Sequence, residues 1–167
     1  MQLYSKLARW WPLLSPRSDY ESEGVFYSAL ISNAIGSWES LLELGCGSGY
    51  LVSHFPSSIE KVMVDQSEAM LAECAKANPE AELVEADFLE LQLGRVFDVV
   101  LVHDALVYMT SESDLKRALA VAANHCRPGG VVLLLPDVVR ERFEDGNTLL
   151  AGQDGESAAV RLMEWHW

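Results

Sequence analysis

The sequence predicts an α/β fold: a doubly wound, mostly parallel sheet with helices on both faces, shortened at its C-terminus. Three observations carry that expectation. Strand-like and helix-like stretches alternate from about residue 40 onward. Several strand stretches are apolar throughout, Val99-Val100-Leu101-Val102 and Val131-Val132-Leu133-Leu134-Leu135 among them, as suits a parallel sheet covered on both faces. The first strand also runs straight into a turn of three alternating glycines, at the edge where open α/β sheets bind ligands.

Taken in order, residues 18–35 read as a helix. Ser18 or Asp19 is placed to cap it, Glu21 and Glu23 complement its first turn, and Gly36 closes it. Val25, Phe26, Ala29, Leu30 and Ile31 are the expected buried stripe. Strands are expected at 40–44, 61–65, 82–86, 96–103 and 130–135, with helices near 48–55, 67–77 and 111–125 between them. Strand, helix, strand, repeated, gives a right-handed doubly wound unit. After Pro136 the pattern changes: a short helical turn at 137–142, a loop from Gly146 to Gly155, and a strand-like end from Ala158 to Trp167. That last strand has no expected partner and looks cut short. Three regions follow: 1–36, 37–140 and 141–167.

The 167 residues are one domain's worth, and half are hydrophobic, enough for a substantial core. No apolar run approaches the length that crosses a bilayer. Residues 1–14 combine Lys6 and Arg9 with two tryptophans and a proline, unlike a secretory signal, and read as folded protein. Twenty-five acidic against twelve basic residues give a formal charge of −13. Such a field repels phosphate backbones and anionic membrane surfaces, which argues against nucleic acid and membrane as partners. Cys46, Cys74 and Cys126 form no CxxC pair, and His54, His125 and His166 have no metal-ligand spacing. No metal site follows, and a reducing cytoplasm is the expected compartment.

The chemistry concentrates in Leu41-Leu42-Glu43-Leu44-Gly45-Cys46-Gly47-Ser48-Gly49. Glycine lets bare backbone approach a ligand and adopts positive φ. Glu43 matters as much, because a carboxylate beside such a loop would repel a phosphate. A ligand that is cationic or rich in hydroxyls fits better, and S-adenosylmethionine does so more closely than a dinucleotide. Asp65 ends the second strand 20 residues after Gly45, beside the loop, placed to accept both ribose hydroxyls. The glycine spacing is GxGxG, not the GxGxxG of the dinucleotide fingerprint. Asp87 ends the third strand, followed by Phe88 and Leu89: an acceptor for an adenine amino group with apolar flanks for the ring.

These segments resemble the class I, Rossmann-like S-adenosylmethionine-dependent methyltransferases over about residues 40–140. The likeness rests on Glu43–Gly49, on Val64-Asp65-Gln66-Ser67-Glu68-Ala69-Met70-Leu71, and on Glu85-Ala86-Asp87-Phe88. Phe97-Asp98-Val99-Val100 and Arg127-Pro128-Gly129-Gly130 follow in the usual order. The N-terminal pattern and His103-Asp104-Ala105 also look like small-molecule methyltransferases, some of which alkylate amino sugars.

The resemblance implies S-adenosyl-L-methionine as cofactor and S-adenosyl-L-homocysteine as product. It implies in-line methyl transfer to a nucleophilic N, O or C of a small molecule, without a metal. Gly45, Gly47 and Gly49 would allow close approach, with Cys46 a small packing residue inside the loop, and Gln66 and Met70 would line the cofactor. Glu43 would act indirectly, orienting loop amides or meeting the cofactor's ammonium through water. Residues 1–36 would fold over the cofactor, bringing Tyr20, and less directly Tyr4, to it. His103 and Asp104 end the fourth strand as the catalytic candidates; His103 reads either as a proton acceptor or as a wall of the cofactor pocket. Tyr108 is a substrate-side candidate. The competing readings are an NAD-dependent oxidoreductase and a cofactor-binding module without turnover. An uncovered edge on the fifth strand would invite a homodimer.

Overall fold

The computed structural model describes residues 2–154 and 158–166. Its centre is a five-stranded parallel sheet, β1 (Ser40–Leu44), β2 (Glu60–Asp65), β3 (Glu82–Glu85), β4 (Phe97–His103) and β5 (Cys126–Leu135), in the order β3-β2-β1-β4-β5. The order reverses about β1, so the C-terminal ends of β1, β2 and β4 meet at the point where a crevice forms. Register places Glu43 beside Met63 on one side and beside Leu101 on the other.

Alternation sends the strand side chains to two apolar layers. Leu41, Met63 and Leu101 pack with Ile31 of α2 (Glu21–Ile35) and with Leu71 and Cys74 of α3 (Glu68–Ala77). Leu42, Leu44, Val62, Val64, Val100 and Val102 pack on the opposite face with Ala118 and Ala122 of α4 (Glu112–His125). The alanines let α4 lie close to the sheet. Each fully buried Leu or Val stabilises by roughly 1.5–3 kcal/mol. Ser67 caps α3 by accepting from the Met70 amide at 3.3 Å, and Ser111 caps α4 by accepting from Asp114 at 3.0 Å.

Four expectations are corrected. Helix α2 buries a different face: Val25 is 63% and Phe26 61% exposed, and Ala29 and Leu30 are exposed too, leaving Ile31 as the one buried member of the expected stripe. The inward face is Tyr20, Gly24, Tyr27, Ile31 and Ile35, at helical spacing. Gly24 belongs to it because a Cβ there would lie 2.6 Å from His54 Cβ, a contact that a hydrophobicity pattern does not register. The segment 48–55 forms only turns and a 3-10 turn, Val52–His54. It is squeezed between Gly49 and Pro56, and Phe55 before the proline is extended (φ −79°, ψ 162°). Strand β5 starts at Cys126, four residues early, with a register irregularity between Phe97 and Val99.

The fourth correction concerns the C-terminal region. The expected loop at 146–155 is mostly a strand, β6 (Gly146–Asp154), paired antiparallel with β7 (Ala158–His166). The last strand therefore has a partner; Gly155 and Trp167 lie outside the described residues. Gly152 explains why the stretch reads as a loop: a Cβ there would lie 1.7 Å from the Leu13 carbonyl oxygen, so glycine permits β6 to meet α1 (Trp11–Leu14).

The N-terminal segment runs over the carboxyl edge of the sheet. Ser67 Oγ donates to the Tyr4 carbonyl, and the Tyr4 and Tyr108 hydroxyls lie 2.5 Å apart. Farther along, Arg17 Nε donates to Ser53 Oγ at 2.7 Å, and His54 Nε2 lies 3.0 Å from the Arg17 carbonyl. Among the described residues no helix is long and apolar enough to cross a membrane.

Candidate functional site

The turn after β1 is a closed hydrogen-bond circuit. The Gly45 and Cys46 amides both donate to the Val64 carbonyl, at 2.8 and 2.9 Å, and Gly49 N–H donates to the Cys46 carbonyl at 2.8 Å. Gly47 N–H donates to Asp65 Oδ2 at 2.8 Å, while Asp65 Oδ1 accepts the Ser67 amide, also at 2.8 Å. Asp65 thus locks the turn to the end of β2, while the cap of α3 is Ser67. Each carboxylate oxygen keeps a lone pair for a further donor. These four loop amides are spent inside the protein, so they offer no nest for a phosphate.

That circuit also corrects one expected role of Glu43, since loop amides are oriented by Val64 and Asp65 instead. Glu43 is 2% exposed and its Oε2 has no hydrogen-bond partner among the described residues. Burial pushes its pKa well above the ordinary value; nearby Cys74, Asp65 and Asp104 add to this, and Lys61 opposes it. A buried carboxyl group without a donor beside a glycine turn is a costly arrangement that a cationic or hydrogen-bonding ligand would relieve.

The glycines differ in what they permit. At Gly45 (φ +74°) a Cβ would lie 2.5 Å from Ala105 Cβ and 3.5 Å from Phe88, so the turn is pressed against the β4 exit and the segment after β3. At Gly49 (φ +63°) a Cβ would collide with Cys74 Sγ and Asn78 Nδ2, and Asn78 clamps the Gly49 carbonyl at 2.9 Å. Cys46 is buried, and a hydrogen bond with Cys74 is the first cause raising its thiol pKa, which suits packing and not nucleophilic attack.

The other expected residues surround this turn. Met70 is buried beneath Gly47, while Gln66 is exposed. The Asp65 carbonyl accepts the Ala86 amide at 3.0 Å, setting the segment after β3 beside the end of β2. Asp87 is exposed and accepts the Leu89 amide at 2.9 Å, Phe88 is buried against Gly45, and Leu89 is half-buried. Tyr20 hydrogen-bonds Ser15 Oγ at 2.7 Å and meets the rings of Tyr50 and His103 edge-on, at 6.0 and 6.1 Å.

At the end of β4, His103 Nε2 lies 3.2 Å from Asp104 Oδ2. Burial pushes the His103 pKa down. Burial also pushes Asp104 up to about 7, helped by the negative charges of Asp137 and Glu23. The contact therefore joins a neutral imidazole to a carboxyl group near its midpoint at neutral pH, not a fixed ion pair. Asp104 is the one non-glycine residue with positive φ (54°) among the described residues, and its amide donates to the Leu135 carbonyl at 2.8 Å. Asp137 was not among the residues singled out from the sequence. The signal for it was its place just after β5, at the same carboxyl edge as the others.

Two surface clefts, of about 480 and 690 Å³, lie elsewhere. One is lined by Arg95, Val121 and His125 among others, the second by Trp38, Ser58 and Asp98 at the opposite strand ends. Neither gathers the groups above, so convergence at the strand ends, and not concavity, locates the site. Among the described residues no cluster of side chains could hold a metal ion.

Comparison with known proteins bears on the family and the fold. The sequence pattern of a family described as a methyltransferase domain matches residues 41–130. The chain is 32% identical over 145 residues to dTDP-3-amino-3,4,6-trideoxy-α-D-glucopyranose N,N-dimethyltransferase of Streptomyces venezuelae, covering 84% of this chain and 61% of that protein. It is 32% identical over 130 residues to dTDP-3-amino-3,6-dideoxy-α-D-glucopyranose N,N-dimethyltransferase of Streptomyces fradiae, covering 77% and 51%. The chain thus spans between half and two thirds of the length of these relatives. Among solved structures, Streptomyces venezuelae DesVI superposes with a TM-score of 0.74 at 24% identity, over 89% of this chain and 76% of that one. The SAM-bound amino pentose methyltransferase CalS10 of Micromonospora echinaspora gives 0.74 at 22% identity, over 87% and 75%. At these identities the structures speak to the fold.

Proposed function

This chain belongs to the methyltransferase-domain family, in its class I Rossmann-like form, and on that premise we propose that it methylates an amine nitrogen of a small molecule, an amino sugar being the favoured class. The cofactor is S-adenosylmethionine, which when bound supplies an electrophilic methyl carbon on a sulfonium and leaves as neutral S-adenosylhomocysteine. The residues present fit that group. The unpartnered Glu43 carboxyl suits an ammonium, Asp65 has lone pairs left for ribose hydroxyls, and the spent loop amides disfavour a diphosphate. The observation that carries the reading is the Asp65 circuit, a carboxylate with lone pairs to spare beside a turn whose Gly45, Cys46, Gly47 and Gly49 amides are already bonded within the protein.

Each residue then has a task. Asp65 positions the ribose, and Asp87 with Phe88 and Leu89 meets the adenine. Gly45 and Gly47 keep the turn thin, with Met70 beneath it and Cys46 and Gln66 at its margins. Tyr20 and the N-terminal segment close over the site and exclude water. His103 and Asp104 face the acceptor, where a neutral imidazole and a half-ionised carboxyl group can hold an amine and remove its proton. The remaining catalysis is alignment of the nitrogen with the methyl carbon. The dTDP-amino sugars named for the relatives supply the substrate class.

The test is calorimetry with S-adenosylhomocysteine and with NAD, followed by transfer of labelled methyl to a dTDP-3-amino sugar. Binding of the homocysteine product with no response to NAD supports the proposal; stabilisation by NAD alone overturns it. The partial span of the relatives favours one second reading, a module that binds the cofactor without turnover. Binding with no transfer to any amine would select it.

A further inference from the structure

Sheet order puts the exit of β1, and with it the glycine turn, between the ends of β2 and β4. Those two ends lie two strand spacings apart, about 9–10 Å. Tyr4 reaches both sides. Its carbonyl accepts from Ser67 Oγ, two residues after the end of β2, and its hydroxyl lies 2.5 Å from that of Tyr108, in the 3-10 turn Leu106–Tyr108 that follows β4. The Tyr4 ring meets Tyr108 edge-on at 6.0 Å and Trp11 of α1 at 5.5 Å. Ser67 is tied to the site at the same time, since its amide donates to Asp65 Oδ1 at 2.8 Å. Tyr108 is tied through Ala105, whose carbonyl accepts the Tyr108 amide at 3.3 Å and whose Cβ lies against Gly45. One tyrosine thus straddles the turn and joins the two strands that flank it.

We propose that Tyr4 and Tyr108 form the latch of a strap, residues 2–14, that retains the cofactor, and that Tyr108 is a positioning residue acting through Tyr4. The inference rests on the reading of Asp65 as ribose acceptor and extends it to how the bound cofactor is kept. A ligand taking the free lone pairs of Asp65 shares that carboxylate with Ser67, the residue that also holds the strap. Release then requires the strap to lift, as with other lids that close over a loaded site. The two ends of Tyr4 are unequal. Ser67 is half-buried and is also the cap of α3, whereas Tyr108 is exposed and its bond joins two neutral hydroxyls. The strap therefore opens at Tyr108. Farther along, Gly152 of β6 lets that strand press on Leu13, which confines the movement to the residues before α1.

The experiment compares the full native chain with Tyr4→Phe, Tyr108→Phe and the double variant, each of which keeps the rings and removes only hydroxyls. Labelled S-adenosylhomocysteine is bound and then chased with unlabelled compound, and the release rate is read. Each single variant should release it about two- to tenfold faster, the effect of one net hydrogen bond. The double variant should match either single one, because both hydroxyls serve the same contact. In the ligand-free chain, amide hydrogen exchange over residues 5–10 should rise by a similar factor. A hydroxyl that served local stability alone would lower the melting temperature and leave release from the folded protein unchanged. Unchanged release, unmoved exchange, or a double variant that shows the product of the two single effects overturns the latch. Failure of S-adenosylhomocysteine to bind the native chain would instead overturn the reading of Asp65, and the ligand-free exchange would still decide whether the two tyrosines hold the strap.

Discussion

Substituting alanine at Gly45 and, separately, at Gly47 separates steric crowding from backbone strain within one turn. Both positions have positive φ, +74° and +52°. A side chain there costs roughly 1–2 kcal/mol through the left-handed conformation. They differ in what the new methyl meets. At Gly47 the nearest atom is the flexible end of Met70, 3.6 Å away, which is ordinary contact. At Gly45 it is the Ala105 Cβ at 2.5 Å, an atom fixed to main chain that has to move. Overpacking of that kind adds about 1–3 kcal/mol, giving about 2–5 kcal/mol in all for Gly45→Ala. In a chain of this length each kcal/mol lowers Tm by about 2–4 °C, so Gly45→Ala should melt below Gly47→Ala by about 2–12 °C. Differential scanning calorimetry without ligand measures this directly. Equal melting temperatures would refute the reasoning, since strain alone would then account for both variants and the turn would not be pressed against the β4 exit.

Two further expectations come from the same structure. Asp65→Asn puts an amide NH2 where the carboxylate accepts from Gly47 or Ser67. With a charge-assisted hydrogen bond worth about 1.5–3 kcal/mol, S-adenosylhomocysteine affinity by calorimetry should fall about tenfold or more, and an unchanged Kd would contradict the assigned role. Asp98 is held down at about 2, first by the Glu39 amide, then by Arg127 and by the Ser40 hydroxyl and amide, against the opposing effect of burial. Its folded pKa is below the unfolded one, so its contribution is present above pH 4 and is lost as pH falls toward 2. Solvent at Arg127, 37% exposed, screens part of this, which leaves about 1–2 kcal/mol. Asp98→Asn should remove that amount at pH 7 and flatten the urea stability profile between pH 4 and 2; a profile parallel to that of the native chain would show that the ties from Asp98 to β1 and Arg127 contribute nothing.

The amino-acid sequence by itself determined the alternation of strands and helices, the place of the glycine turn after β1, and the acids at the ends of β1, β2 and β3. These are local properties: apolar runs, positive-φ glycines and the spacing from Gly45 to Asp65 act within one element and its neighbour. Tertiary structure decided which face α2 buries, because Gly24 against His54 selects it through close approach and not through hydrophobicity. It decided that 146–154 pairs with 158–166, where long-range hydrogen bonding and the contact of Gly152 with Leu13 outweigh a glycine-rich, loop-like composition. It also spent the loop amides on Val64 and Asp65, and set the C-terminal end of β5 beside Asp104, whose amide donates to the Leu135 carbonyl. Convergence of that sort depends on register and on the paths of connecting segments, and one-dimensional spacing does not encode either.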